Sequence, residues 1–482
     1  MTGTIDDLSA VRTLAVLGLG RSGRAATLLA LRRLSGAAVT VIDAKDEADL
    51  GVAPAELRSA GAAVLLGATA VLPPQTELLV KSPGVPNESP VVRQALAAGV
   101  PVWSEVELAA RFLANRWIGI TGTNGKTTTT ELTGQILRDA GRPVEVAGNV
   151  GRALANLPGE ISDEAVIVAE LSSFQLEHIE RFRPEVGVLL NLTEDHIDRH
   201  GDYGGYVDAK LRLFENQRPA DLALVNADDP GIASALAQAP LPGAGRRGRF
   251  SLGDQSPALL AGVSEGILWL ASAPPSVSGA RAERERLCAV AELALKGEHN
   301  LANSLAAAVA AAAVGVPAAA IARTLRTFAG VAHRLQVVAT VAGVTYVNDS
   351  KATNVDAARK ALTAYSGPVH LILGGSLKGA SFDPLAEATE GRVAEAILIG
   401  AAASSLREAF ERRRAVVGKR ATPYVVLPDL EAAVRHAADV ARPGDVVLLS
   451  PACASFDHYR NFEHRGEHFC ELVHHLEEHG ET

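Results

Sequence analysis

Gly122-Thr123-Asn124-Gly125-Lys126-Thr127-Thr128 brings together two glycines, a lysine and a set of hydroxyls. The apolar run from Trp117 to Ile120 before it reads as a buried strand, and Thr127 to Ala140 after it is compatible with a helix. Strand, glycine turn, Lys-Thr and helix make a phosphate cradle. Backbone N–H groups of the turn and helix N-terminus face the anion, Lys126 supplies a point charge, and the Thr127 hydroxyl can reach a metal. The common form of this loop has glycine six residues before the lysine; here that position is Ile120, flanked by Gly119 and Gly122. The loop alone does not say which phosphate it holds.

Other polar groups also fall at predicted strand ends. Ala165 to Ala169 is an apolar run ending at Glu170, within Glu170-Leu171-Ser172-Ser173-Phe174-Gln175-Leu176. A carboxylate there, in a domain with a phosphate loop, is placed either to hold Mg²⁺ or to cap the next helix. Val186 to Leu190 leads into Asn191-Leu192-Thr193-Glu194-Asp195-His196-Ile197-Asp198-Arg199-His200, dense enough in polar groups to suggest a site loop. Lys210 lies on a helical pattern, where a lone lysine reads as solvated.

The elements form blocks of strand, loop and helix. The first opens with Thr13 to Leu17, then Gly18-Leu19-Gly20-Arg21-Ser22-Gly23, a helical pattern to Leu34, and a strand from Val39 ending at Asp43. This is a GxGxxG fingerprint with an acid about twenty residues on, a turn that can hold any diphosphate. A strand from Glu77 to Val80 leads to Lys81-Ser82-Pro83-Gly84, where Lys81 and Ser82 can meet an anion or sugar, or the prolines simply stiffen a turn. Asn300 precedes an Ala-rich helix as its N-cap or as a ligand contact. The last block repeats strand, polar loop and helix: Thr345 to Val347 before Asn348-Asp349-Ser350-Lys351-Ala352-Thr353-Asn354, His370 to Leu373 before Gly374-Gly375-Ser376-Leu377-Lys378, and Val446 to Leu449 before Ser450-Pro451-Ala452-Cys453-Ala454-Ser455. That predicts a second doubly wound sheet. The His-rich tail from His464 to His479 reads as a solvated helix, polar nearly all round.

Composition narrows the class. At 482 residues, two to four domains are expected. A net charge of −9 without a long basic stretch argues against nucleic acid, and no run is apolar enough to span a membrane. Three scattered cysteines suit a reducing cytoplasm, and the N-terminus does not read as a signal peptide.

Taken together, Gly122 to Thr127, Glu170 to Leu176, Asn191 to His196 and Asn348 to Asn354 resemble the Mur ligase family, ATP-dependent amide-forming enzymes of peptidoglycan synthesis. Leu449 to Asp457 followed by Asn461-Phe462-Glu463-His464-Arg465-Gly466 is similar to the branch that adds D-glutamate to UDP-N-acetylmuramoyl-L-alanine. The resemblance implies an α/β fold of three domains: a UDP-binding Rossmann-like domain (1–104), a central ATP-binding P-loop domain with a mostly parallel sheet (105–330), and a Rossmann-like domain for the incoming amino acid (331–482). It assigns Gly20, Arg21, Ser22, Asp43, Ser82, Pro83, Gly84 and Asn149 to the UDP-sugar. It assigns Gly122, Thr123, Asn124, Gly125, Lys126, Thr127, Thr128, Asn300, Arg334 and Asp349 to ATP, and Lys351, Thr353, Lys378, Ser455 and Phe462 to D-glutamate. Lys126, His196 and Lys210 become catalytic. Thr127, Glu170, His196 and Lys210, the last as a carbamate, become ligands to Mg²⁺. Ser376-Leu377 stands where the branch often carries an acid before the lysine. A cytoplasmic monomer is expected. The alternatives are a sibling ligase adding another amino acid, a P-loop nucleotide-binding protein without ligase activity, and, from GxGxxG alone, a dehydrogenase.

Overall fold

The computed structural model describes residues 5–479 other than 6, 196, 254, 255, 257, 272–282, 329, 366 and 378–380. The chain divides into a unit of residues 1–328 and a unit of residues 329–482. The first unit contains two sheets and the second contains one.

The first sheet is built from β1 (Thr13–Leu17), β2 (Ala38–Asp43), β3 (Ala63–Leu66), β4 (Leu78–Lys81) and β5 (Val102–Ser104), in the order β3-β2-β1-β4-β5 and parallel throughout. The chain reverses its direction of winding between β1 and β4, so the loops after these strands flank the crevice where such sheets take ligands. The helix Arg21–Arg33 packs tightly over β1 because Gly23 allows it; a Cβ there would lie 1.7 Å from the Gly18 carbonyl oxygen.

The second sheet contains β6 (Trp117–Thr121), β7 (Val144–Gly148), β8 (Val166–Glu170), β9 (Val186–Leu189), β10 (Leu222–Asn226), β11 (Arg246–Ser251), β12 (Ala261–Ser264), β13 (Ile267–Ala271) and β14 (Arg284–Ala289). Its order is β14-β13-β12-β11-β10-β9-β6-β8-β7. It is parallel from β7 to β12 and antiparallel from β12 to β14. β6 lies between β8 and β9, which brings the loops after all three strands to one edge. Every residue of β6 is buried, as an apolar run covered on both faces requires. The Ala-rich helix Glu298–Ala313 buries Ala306, Ala307, Ala308, Ala310 and Ala311, whose small side chains let it approach closely.

Glu107, on the helix Glu105–Ala110 after β5, ties the first sheet to the second. It is fully buried. Its Oε2 accepts the backbone N–H groups of Glu180, Arg181 and Phe182 at 2.8, 3.0 and 2.8 Å, and its Oε1 takes Arg111 Nε at 2.5 Å. Glu107→Ala strands three main-chain donors and is expected to destabilise this unit by about 3 kcal/mol. Denaturant unfolding would check it, and a loss below about 1 kcal/mol would count against this role.

The third sheet, in the second unit, orders β15 (Gln336–Val341), β16 (Val344–Asn348), β17 (Val369–Gly374), β18 (Val393–Ile399), β19 (Tyr424–Val426) and β20 (Val446–Leu449) as β15-β16-β20-β17-β18-β19. All pairs are parallel except the β15–β16 hairpin. Because β20 inserts between β16 and β17, the loops after these three strands meet at one edge.

Two readings of the sequence need correction. The C-terminal helix Phe462–His479 is not polar all round: Arg465, Phe469 and Val473 are buried, the last two in an apolar cluster with Tyr346 and Val434. The charges at i+1 and i+2 hide a stripe that only a 3.6-residue period exposes. Asn300 is not an N-cap, since the helix starts at Glu298 after Gly297.

Candidate functional site

In the first unit the phosphate loop closes on itself. Gly125 takes φ +81° as the residue before the helix Lys126–Asp139, a conformation open to glycine. Asn124 N–H donates to Asn191 Oδ1 at 2.7 Å, and Asn191 Nδ2 returns a bond to Asn124 O at 3.1 Å. Thr123 Oγ1 sits 2.9 Å from Tyr206 Oη and accepts from Thr193 N–H at 3.0 Å. Lys126 Nζ donates to the carbonyls of Gly122 and Thr123 at 2.9 and 2.8 Å. Thr127 is buried in the first turn beside the half-buried Thr128.

Lys210 is not solvated. It lies on the helix Tyr203–Leu211, whose N-terminus is capped by Asp202, and is 2% exposed. Its Nζ donates to the same Gly122 carbonyl at 2.9 Å and lies 4.7 Å from the centre of the Tyr206 ring. Burial, and then the neighbouring Lys126 charge, push its pKa well below the ordinary lysine value; Asp195 and Glu170 pull the other way.

Glu170 is 3% exposed at the end of β8. It does not cap the next helix, which is the work of Ser172, whose Oγ accepts from Gln175 N–H. Its Oε1 accepts from Asn149 Nδ2 at 2.9 Å, while its Oε2 is buried with no hydrogen-bond partner among the described residues. A buried, half-satisfied carboxylate beside a phosphate loop suits a divalent cation. Among the described residues no group of three or more His, Cys, Asp or Glu forms a ready cage. Mg²⁺ does not need one, because it commonly takes one or two protein oxygens and completes its shell with water and substrate phosphates. Glu170 and Thr127 fit that use. His196 lies outside the described residues.

Asn303 was not read as a site residue from the sequence. It is buried one turn along from Asn300 and faces the loop: a Cβ at Gly125 would lie 2.4 Å from Asn303 Oδ1. Asn300 Nδ2 instead donates to Lys296 O at 2.9 Å, and Asn300 Oδ1 accepts from Asn303 Nδ2 at 3.4 Å. An asparagine inside an otherwise Ala-rich helical run was the available signal. Gly125→Ala meets both the positive φ and this contact. If the loop holds ATP, as the family resemblance implies, the substitution is expected to lower kcat/KM for ATP by roughly 10- to 100-fold, and steady-state kinetics over a range of ATP concentration would check it.

The crevice of the first sheet collects the other candidates. Gly20 precedes the helix that begins with Arg21 and Ser22. Asp43 accepts Leu19 N–H at 2.6 Å and Lys45 N–H at 2.9 Å, so its carboxylate shapes the glycine turn. Ser82 Oγ donates to Gly18 O at 3.0 Å and brings Pro83 and Gly84 alongside that turn. Arg21 Nη2 donates to the Asn149 carbonyl at 2.7 Å, and the Asn149 side chain leads on to Glu170. Thus one residue links the crevice to the phosphate-loop edge. Lys81 is committed internally, to Val85 O at 3.0 Å and Glu177 Oε2 at 3.4 Å. Arg199, within the polar stretch read from the sequence as a site loop, donates to the carbonyls of Pro83 and Val85 at 3.2 Å and stacks on Phe174.

In the second unit, Asp349 is 5% exposed, accepts from Ser450 Oγ at 2.7 Å and Leu335 N–H at 3.2 Å, and is pushed up to about 6 by burial despite those bonds and the charges of Arg334 and Lys351. Lys351 N–H donates to His333 O at 3.0 Å. Phe462 sits edge-on to His333, and its carbonyl accepts from Ser350 Oγ at 2.8 Å. Ser455 is buried just after β20, and the half-buried Thr353 follows Lys351. Lys378 lies outside the described residues. His333, Leu335 and Ala452 adopt φ of +62°, +43° and +58°. Strained backbone of this kind costs about 1–3 kcal/mol per residue and concentrates at functional loops.

Comparison with known proteins places this geometry. Residues 120–311 match the Mur ligase middle domain, and residues 333–453 match the Mur ligase glutamate ligase domain. The UDP-N-acetylmuramoylalanine--D-glutamate ligase of Acidobacterium capsulatum is 42% identical over 461 residues, covering 95% of each chain. That of Anaeromyxobacter dehalogenans is 44% identical over 470 residues, covering 95% of this chain and 96% of its own. The fold is similar to that of the UDP-N-acetylmuramate-alanine ligase of Thermotoga maritima, at a TM-score of 0.50 and 18% identity, covering 96% of this chain and 99% of that one. Two family domains match in order and the likeness to these relatives covers 95% of the chain, so the chain belongs to the Mur ligase family.

Proposed function

We propose that the chain joins D-glutamate to the alanyl carboxylate of UDP-N-acetylmuramoyl-L-alanine, with ATP converted to ADP and phosphate, as a cytoplasmic monomer in peptidoglycan precursor synthesis. The observation that carries this is the near-full-length likeness to relatives named for that reaction. On this reading residues 1–104 take the nucleotide sugar, 105–330 take ATP, and 331–482 take the amino acid.

The chemistry is the one that the family resemblance implies, and the residues are consistent with it. A carboxylate oxygen attacks the γ-phosphorus, an acyl phosphate forms and ADP leaves. The amine of D-glutamate then attacks the acyl carbon, the C–O bond to phosphate breaks, and the nitrogen loses a proton. The first step brings two anions together, so positive charge must lie between them. Lys126 supplies it at the phosphates, held by the turn Gly122, Thr123, Asn124, Gly125 and the helix start at Thr127 and Thr128. Asn300, Arg334 and Asp349 complete the ATP contacts. Mg²⁺, when bound, neutralises phosphate oxygens, and Thr127, Glu170, His196 and carbamylated Lys210 would hold it. Gly20, Arg21, Ser22, Asp43, Ser82, Pro83, Gly84 and Asn149 take the nucleotide sugar. Lys351, Lys378, Thr353, Ser455 and Phe462 receive D-glutamate, with two lysines opposing two carboxylates.

The test is phosphate release from ATP and Mg²⁺ with UDP-N-acetylmuramoyl-L-alanine and each amino acid in turn. Release that requires both the nucleotide sugar and D-glutamate is expected. Release with another amino acid would overturn the substrate, and release indifferent to any amino acid would overturn the ligation.

A further inference from the structure

We infer that Arg465 is a positioning residue for the incoming amino acid: a buried guanidinium that fixes the three strand-end loops of the second unit and leaves a positive charge behind them. This rests on the proposed function, which places the amino acid at those loops.

Arg465 lies in the first turn of the C-terminal helix and is 1% exposed. Its Nε donates to Ser350 Oγ at 3.0 Å. One terminal nitrogen donates to Gly374 O at 3.3 Å and Ala454 O at 3.2 Å, and the other to Ser350 O at 2.9 Å and Cys453 O at 3.2 Å. These acceptors come from the loops after β16, β17 and β20. In the chain, each lies within a few positions of a residue proposed to meet the amino acid. Ser350 precedes Lys351, Ala454 precedes Ser455, Gly374 opens the loop that runs to Lys378, and Ser350 Oγ passes the connection on to the Phe462 carbonyl.

All five N–H donors of the guanidinium are therefore used, and every acceptor is a neutral oxygen. Among the described residues no carboxylate lies within ion-pair distance of it. Burying an ion with no carboxylate in direct contact is costly, even with the Asp457 charge partly offsetting it at longer range, and a tie between neutral oxygens could be made by a neutral amide. What a guanidinium adds is the fixed fork geometry and the charge. A free amino acid with two carboxylates and one ammonium carries the opposite net charge. Preorganised donors and charge at the place where an anion arrives act without reorganisation when it binds. The role expected of a purely structural arginine is different, because it would affect all substrates alike through the fraction of folded enzyme.

The full-length enzyme is assayed as wild type, Arg465→Lys and Ser350→Ala, with KM measured separately for D-glutamate, ATP and the nucleotide sugar, and with thermal unfolding of each variant. Lysine keeps the charge but loses the fork; Ser350→Ala removes the Nε acceptor together with the bond to the Phe462 carbonyl, and leaves the four other guanidinium bonds in place. The expected result is a D-glutamate KM raised about tenfold or more in Arg465→Lys and about threefold in Ser350→Ala, with the other two KM values within about twofold of wild type. An equal rise in all three, or a fall in kcat alone, would make Arg465 a folding residue only and overturn the inference. If Arg465→Lys does not fold, Ser350→Ala decides, and an unchanged D-glutamate KM in it overturns the inference. A wild type that accepts a different amino acid refutes the substrate assignment instead, and the same comparison is then run with that amino acid.

Discussion

Lys126→Ala is expected to reduce D-glutamate-dependent phosphate release by about three orders of magnitude while both units stay folded. The two halves of this expectation have separate causes. The stability half follows from what the ammonium touches, the carbonyls of Gly122 and Thr123 in its own loop, three or four residues away. Such local bonds contribute about 1 kcal/mol each, and after truncation the Gly122 carbonyl keeps its bond from Lys210 Nζ, so of these two acceptors Thr123 O alone loses its donor. The activity half follows from the anionic nature of both reactants, since an attacking carboxylate and a triphosphate repel until cations lie between them. In a water-excluded edge one such charge is worth far more than in bulk solvent. Phosphate-release kinetics read beside a thermal melt test both halves. Turnover within about tenfold of wild type would remove Lys126 from the catalytic centre.

How far the sequence could carry this site depends on the range of the interactions. The phosphate loop was legible because its chemistry is local: glycine at a positive-φ position, lysine and threonine opening a helix. Parallel strands were legible as short apolar runs, and their ends as clusters of polar residues. Groups whose meaning depends on the fold were not. Nothing near Lys210 in the chain marks it as buried; that follows only when its helix packs under Gly122, 88 residues away. Asn303 looked like one polar residue in an Ala-rich helix until that helix was laid beside Gly125. Arg465 looked like part of a charged tail, because the acceptors that enclose it come from three other strand ends. Long-range polar contacts leave no periodicity to read.

Lys210→Arg is expected to lower turnover by about two orders of magnitude or more, although the cation is retained. Two amines share the Gly122 carbonyl, so one of them is driven toward its neutral form, and burial selects Lys210. With its pKa lowered, the fraction present as free amine at neutral pH is larger than for an ordinary lysine, and the free amine is the form that adds CO₂. Once the ammonium has lost one proton, the amine nitrogen attacks the carbon, a C–N bond forms as one C=O π bond opens, and a second proton is released, so a cation beside Glu170 becomes an anion. A carboxylate and a carbamate facing a phosphate loop make sense as ligands to a divalent ion, whereas two ammoniums and one carboxylate do not. Arginine cannot follow this route, because it stays protonated and adds no CO₂. Labelled bicarbonate should give the wild type, and not Lys210→Arg, a carbamate signal by NMR, and removal of CO₂ should reversibly depress only the wild-type rate. A variant as active as wild type, or a wild type indifferent to CO₂ with no carbamate signal, would leave Lys210 a buried structural amine.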